Sequence, residues 1–454
     1  MEGGVFSAHK PTYLLLLLHI FLLALLPFKA ISSPKTQAEA LLTWKNTFAS
    51  APPSLTSWSL TNLNNLCNWT AIVCDHSTKQ VSQIDLSNFN IDATLTHFNF
   101  TPFLNLTQFN LNGNNFTGPV PSAIGKLSKL TTLDLGNNFF DQEIPVEISK
   151  LTELKYLSFF NNTLIGVIPY QLSNLQKLGL CTSLTYLDLT SNHLEGKIPS
   201  SIGQLRELHY LDLHMNSLDS SIPSELAWFC TNLTYLDLTS NHLEGKIPSS
   251  IQLRELQYLD LHMNSLDSSI PSELGFVPPH LLDLTSNHLE GKIPSSIGQL
   301  RELQYLDLHM NSLDSSIPSE LGKIPSSIGQ LRSFSTLILV QFLNSSIPSE
   351  LGFCTSLTYL DLTSNHLEGK IPSSIGQLRE LQYLDLKNSL SSSIPSELGF
   401  CTSLTYLDLS RNQLSGSIPL TLATLQYSDL NLSNNNLNGP FPQRLFPSWR
   451  IMIF

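Results

Sequence analysis

The 24 residues from Leu184 to Glu207, LTYLDLTSNHLEGKIPSSIGQLRE, return letter for letter from Leu357 to Glu380, as one instance of a unit that recurs from Val81 to Phe441. A unit this short cannot bury its own apolar face, so copies must stack into a solenoid in which each touches only its neighbours. Function is then expected on an extended surface and not in a pocket.

The spacing LxxLxLxxNxLxGxIP gives each position a task. In Leu184, Leu187, Leu189, Asn192, Leu194, Ile198 and Pro199, the Leu187 and Leu189 pair predicts a short strand with both leucines inward and Asp188 outward. Asn192 is expected to turn inward, where its amide can satisfy backbone groups that no sheet ladder covers. Asn114, Asn138, Asn162, Asn216, Asn241, Asn264, Asn287, Asn311, Asn365, Asn412 and Asn435 hold the same slot and predict a buried ladder. Gly196 permits a tight bend, and Ile198-Pro199 fixes the extended segment that follows.

This pattern resembles the plant-specific class of leucine-rich repeats found in receptor-like kinases, receptor-like proteins and polygalacturonase inhibitors; the IP element with its preceding Gly is specific to that class. The resemblance covers most of the chain. It implies an α/β repeat solenoid, a right-handed superhelix with a concave parallel β-sheet and irregular or 3-10 turns outside. Counting LxL strands gives roughly fifteen units, and strands about 4.8 Å apart make an arc of about 70 Å, long enough for an extended ligand.

Residues 1–32 carry the marks of a signal peptide: an apolar core from Tyr13 to Leu26, Lys10 before it, and small residues at Ala30-Ile31-Ser32 for cleavage after Ser32. An uncleaved anchor is the alternative. Secretion, or display outside the plasma membrane, is the expectation, with no membrane span after the leader. Residues 33–80 resemble the cap that precedes this repeat class. Ala38 to Lys45 has helical spacing, with Leu41 and Trp44 placed to cover the first repeat. Cys67 to Cys74, CNWTAIVC, looks like the CxWxGVxC signature with Ala71 in the usual glycine slot, which implies a Cys67–Cys74 disulfide in an oxidising compartment.

The other cysteines, Cys181, Cys230, Cys354 and Cys401, share one repeat position. Their nearest pairs stand two repeats apart, about 10 Å and beyond disulfide reach, so they are expected to be buried free thiols. Eight N-x-[ST] sequons, at Asn68, Asn99, Asn105, Asn115, Asn161, Asn232, Asn344 and Asn431, fit a glycosylated protein. Asn232 is expected to face solvent, and Asn431 to lie on the concave side.

Specificity is expected on an exposed concave ridge of tyrosines and aspartates. Its candidate ligand-binding residues are Tyr186, Asp188, Tyr210, Asp212, His214, Tyr235, Asp237, Tyr258 and Asp260, continued by Tyr305, Tyr359, Tyr383 and Tyr406 and by Asp283, Asp307, Asp361, Asp385 and Asp408. Rings beside carboxylates suit a basic or hydroxyl-rich peptide. Adjacent carboxylates repel, so an incoming cation would relieve several terms at once. His214, His262 and His309, alternating with threonines, could tune affinity with pH. The net charge of -12 points away from nucleic acid. Unlike groups do not converge as catalysis requires, and there is no CxxC or His-Cys cluster, so neither an enzyme, a cofactor nor a metal site is expected.

Near-identical units with ragged joins, after Gly322 and at Lys387-Asn388, look like recent duplication; binding is then expected chiefly in the older, varied repeats from Val81 to Gln176. Units run over 81–440, and 441–454 is expected to be an uncapped tail with exposed apolar surface. The resemblance implies a receptor-type module that binds a peptide or wall-derived ligand and signals only through a membrane co-receptor kinase. A secreted polygalacturonase-inhibitor-like protein, or a nonfunctional receptor fragment, is the alternative.

Overall fold

The computed structural model describes residues 33–440 apart from 51, 176–183, 250–254, 277–278, 314–324, 332 and 341–345, together with 442 and 451–452. The segment 1–32, Cys181 and Asn344 therefore lie outside the described residues.

One unit shows how the sequence becomes a coil of the solenoid. Tyr186–Asp188 is a strand. Leu187 and Leu189 point inward and are wholly buried, as are Leu194, Ile202 and Leu205 farther round the turn. His193–Lys197 forms a second strand, and Pro199 then leads into the 3-10 helix Ser200–Gln204. Gly196 sits at φ +72°, the left-handed region that a side chain disfavours, yet Ser220 holds the same slot one unit later at φ 66°.

Among the described residues the main sheet has 17 strands. Ile72–Cys74 of the cap pairs antiparallel with Val81–Asp85, and Ile451–Met452 pairs parallel with residues 430–431. Setting these two aside leaves the fifteen repeat strands, all parallel, that the LxL count predicts. The register is strict, Tyr186 opposite Tyr210 and Asp188 opposite Asp212. It persists across the irregular joint, where Tyr305–Asp307 pairs directly with Thr336–Ile338. Strands set about 4.8 Å apart need less width than the 3-10 segments opposite, which puts the sheet on the inside of the curve.

A second layer of strands was not foreseen. Six segments from Asp92–Thr94 to Ser217–Asp219 pair in parallel, and shorter sheets continue the row at 244–266 and 391–437. The LxGxIP segment suggests a bend and an extended run, and only stacking supplies it with hydrogen-bonding neighbours.

The asparagine ladder is present as expected. Asn192 Nδ2 donates to the carbonyls of Phe159, Leu189 and Thr190, and its Oδ1 accepts from the Leu164 amide. Asn241 repeats this with Leu213, Leu238, Thr239 and the Leu218 amide. Even where one residue is missing, Asn388 still reaches the Leu362 carbonyl at 2.6 Å.

The cap closes the first repeat. Its helix, Pro34–Lys45, starts at Ser33, whose hydroxyl accepts from the Thr36 amide. Leu41 and Trp44 are wholly buried, and the Trp44 ring meets Phe98 edge-on and stacks at 5.8 Å on Phe116. Buried Gln37 ties the helix to the repeats, donating to the Pro102 carbonyl and accepting from the Val81 amide. Cys67 and Cys74 are disulfide-bonded, and Ala71 adopts φ 67°, which accounts for a glycine being usual there. Cys230, Cys354 and Cys401 are buried and not disulfide-bonded, and burial pushes the Cys230 and Cys401 thiols up to about 12.

Candidate ligand-binding surface

The candidate residues come together on four adjacent strands, 186–188, 210–212, 235–237 and 258–260. Strict register places like residues side by side, and the tyrosines exploit this by stacking. Tyr186, Tyr210, Tyr235 and Tyr258 lie with ring centroids 4.2 to 4.3 Å apart and nearly parallel. Tyr156, which the sequence reading omitted although LKYLSF offers the same slot, heads the stack at 4.3 Å from Tyr186. Leu281 and Thr336 take the tyrosine position on their strands, so the stack stops after Tyr258 and resumes as Tyr359, Tyr383 and Tyr406.

The aspartates correct an expectation. They lie on the sheet's outer face as the alternation predicts, but they do not form an exposed ridge: Asp188, Asp212, Asp237 and Asp260 are only 3 to 8% exposed. The chain turns just after each strand, and the amide two residues on has no sheet partner. Asp188 Oδ1 accepts from the Thr190 amide, Asp212 from His214, Asp237 from Thr239 and Asp260 from His262. The other oxygen accepts the hydroxyl of the tyrosine on the same strand, at 3.0 to 3.3 Å. Ring stack and carboxylate row thus form one hydrogen-bonded surface, with the tyrosines half-buried.

Charge on this surface is set first by desolvation. Burial raises Asp188, Asp237, Asp260 and Asp283 above the usual carboxylate range, and neighbouring carboxylates add to the rise. At Asp212 burial pulls the same way, but hydrogen bonds from His214 outweigh it and lower the carboxyl. The His214 imidazole is raised chiefly by its 2.6 Å contact with Asp212, against its own burial. Lys387, also missed from sequence, lies 2.9 Å from Asp385 and 3.3 Å from Asp408. Burial beside like charges lifts Asp385 to about 6. Lys387 is itself disfavoured by burial, yet the two carboxylates push it up to about 12. The two shifts agree at neutral pH, where both groups are charged and paired.

The rim of the face carries Met215, Met263 and Met310, each just over half exposed, each receiving a serine hydroxyl from the unit before. Among the sequons, Asn68, Asn99 and Asn161 are exposed, while Asn105, Asn115 and Asn431 are half-buried. Asn232 departs from expectation: it is half-buried, its amide 3.5 Å from Glu207. Asn431 lies in the strand Asp429–Asn431 on the sheet face, donating to Asp408.

Models of the leucine rich repeat match residues 182–243 and 355–414, and 105–127, 129–151, 255–277, 280–300 and 302–331. A leucine rich repeat N-terminal domain matches 34–75. MDIS1-interacting receptor like kinase 2 of Arabidopsis thaliana is 35% identical over 27% of this chain and 12% of its own length. Leucine-rich repeat receptor-like serine/threonine-protein kinase RGI4 of the same plant is 35% identical over 26% of this chain and 10% of its own. The alignments thus span only a small part of these relatives. Among solved structures, the plant peptide hormone receptor RGFR1 in complex with RGF2 is similar with a TM-score of 0.67 and 33% identity, covering 78% of this chain and 60% of that one. A TDR receptor is similar with a TM-score of 0.59 and 31% identity, covering 85% and 73%.

Proposed function

We propose that this chain, a leucine-rich repeat protein with a plant-type N-terminal cap and homologous to Arabidopsis leucine-rich repeat receptor kinases, is an extracellular recognition module of receptor type. It binds a peptide along the concave sheet. The observation that carries the reading is the continuous surface of stacked tyrosines over hydrogen-bonded aspartates on strands 186–188 to 258–260. Its flat aromatic rings offer contact area at low entropic cost, and its carboxylates favour a basic side chain. The likeness to a receptor whose structure was solved with a peptide hormone supports the same reading.

The test is a titration of the purified chain with a basic twelve-residue peptide and its acidic counterpart, at low and high salt. The basic peptide is expected to bind better, and to weaken as salt shortens the screening length below about 8 Å. Replacing Asp188, Asp212 and Asp237 together by Asn removes charge but keeps a carbonyl for each turn amide, and should slow association more than it speeds dissociation. Equal binding of the two peptides, or an unchanged triple variant, would remove this face from recognition.

A further inference from the structure

The residue two positions after each sheet aspartate lies between that carboxylate and the one on the next strand. At one such place the protein supplies its own cation: the Lys387 ammonium bridges Asp385 and Asp408. Where the same slot holds histidine, the carboxylates meet an imidazole nitrogen instead. His214 Nδ1 is 2.6 Å from Asp212 Oδ1 and 3.9 Å from Asp237 Oδ2, with Thr190 Oγ1 at 3.4 Å. His262 Nδ1 is 2.7 Å from Asp260 Oδ1, and Asp283 stands on the next strand. In each triad, Asp212/His214/Asp237 and Asp260/His262/Asp283, the candidate donor atoms lie within 4.8 Å of one another.

We propose that these two triads are binding sites for a divalent transition-metal cation of the Zn2+ or Co2+ kind, each held by one imidazole nitrogen and two carboxylate oxygens. Such ions bind nitrogen and oxygen donors at about 2.0–2.2 Å, so three donors on one ion stand a little over 3 Å apart. The triads need only modest side-chain rotation to reach that geometry. The ion replaces the proton that Asp212 and His214 share. Tyr210 already donates to the outer oxygen of Asp212, and Tyr235 donates to Asp237 Oδ2, the oxygen that faces His214, so both carboxylates are held in orientation as metal sites require. Calcium and magnesium are poorer fits, because they favour all-oxygen shells of six or more ligands.

The repeat provides an internal control. His309 keeps its own partner, Asp307, at 2.6 Å, but the next strand offers Ile338 where the second carboxylate would stand. This third copy should not bind.

The experiment is a Co2+ titration of the chelator-stripped, untagged full chain, read by visible absorbance and calorimetry. Two equivalents are expected to bind saturably, one per triad. Asp237→Asn and Asp283→Asn should each remove one equivalent, and together both; each Asn retains the oxygen that accepts the turn amide, so circular dichroism should be unchanged. Ile338→Asp should complete the third triad and add an equivalent. That gain keeps the test decisive even if a loss variant fails to fold. No saturable binding, or a stoichiometry indifferent to all three substitutions, overturns the proposal and assigns any uptake to exposed turn histidines such as His193.

Discussion

The repeats before Gln176 and those after Leu184 share one backbone and differ in almost everything attached to it. The early core is aromatic: Phe98, Phe103, Phe109, Phe116 and Phe140 are buried and stack in a chain that begins on Trp44 of the cap. In the copied block the core slots hold chiefly Leu and Ile, with Phe334 and the buried cysteines among them. The first early strands carry Gln83, Gln108 and Thr132 in the slot where Tyr156 and most later strands place tyrosine. Yet Asn138 makes the same carbonyl bonds as Asn241. The comparison teaches that the frame depends on the asparagine ladder and on filled core slots, and that the face can vary without disturbing it.

The largest expected break in that comparison comes from Trp44→Ala. It removes a wholly buried ring that joins the cap to the aromatic core, at a cost of about 3–5 kcal/mol. Because contacts run only between neighbours, hydrogen exchange should accelerate in residues 34–140 and little in 355–430. Equal acceleration in both would mean that the two regions open as one unit.

The ladder offers a smaller and more even effect. Asn241→Ala leaves several buried backbone groups unpaired and should cost about 1–3 kcal/mol, and Asn138→Ala should cost the same, since the frame is common to both regions. Asn232→Ala, at a half-buried position with one long contact to Glu207, should stay within about 0.5 kcal/mol. Denaturant melts of deglycosylated variants measure all three, and an Asn232 effect as large as that of Asn241 would contradict the assigned register.

Much of this frame was legible in the sequence because each position of the unit has one physical task. Asn192, Gly196, Ile198 and the LxL pair announce their roles by spacing, and the cap by Trp44 and the Cys67–Cys74 interval. The site was legible only in part. Alternation put Asp188 and Tyr186 on the correct face, but alternation does not say how deep a side chain lies. Burial of the aspartates follows from the unpaired turn amides and the tyrosine stack, and both need the register of neighbouring strands. The Lys387 bridge and the His214 triad also join residues one unit apart in the chain. The second sheet escaped notice for the same reason.

A pH effect should be the smallest and concentrated in the copied block, although burial also raises Asp134 in the early repeats. Asp385, near 6, and Asp188, Asp237 and Asp260, all raised by burial, take up protons on folding, as does the raised His214. The folded chain then binds more protons than the unfolded one, so stability is greatest below the unfolded values and is lost as pH rises through the folded ones. Asp212, shifted down, acts oppositely but only in the acid range of free carboxylates. Melting temperature should fall between about pH 5 and about pH 8, and less steeply in His214→Gln and Asp385→Asn. A rise over that interval would reverse the assigned charge balance.

Recognition is placed at the tyrosine face, although sequence variety alone points to residues 81–176. Hydroxyl-radical footprinting with the basic peptide bound separates the two regions directly. Protection of Tyr186, Tyr210, Tyr235 and Tyr258, together with the rim methionines Met215 and Met263, is the predicted result. Protection confined to the early repeats or to the 3-10 side, with those tyrosines as reactive as in the free chain, would contradict it.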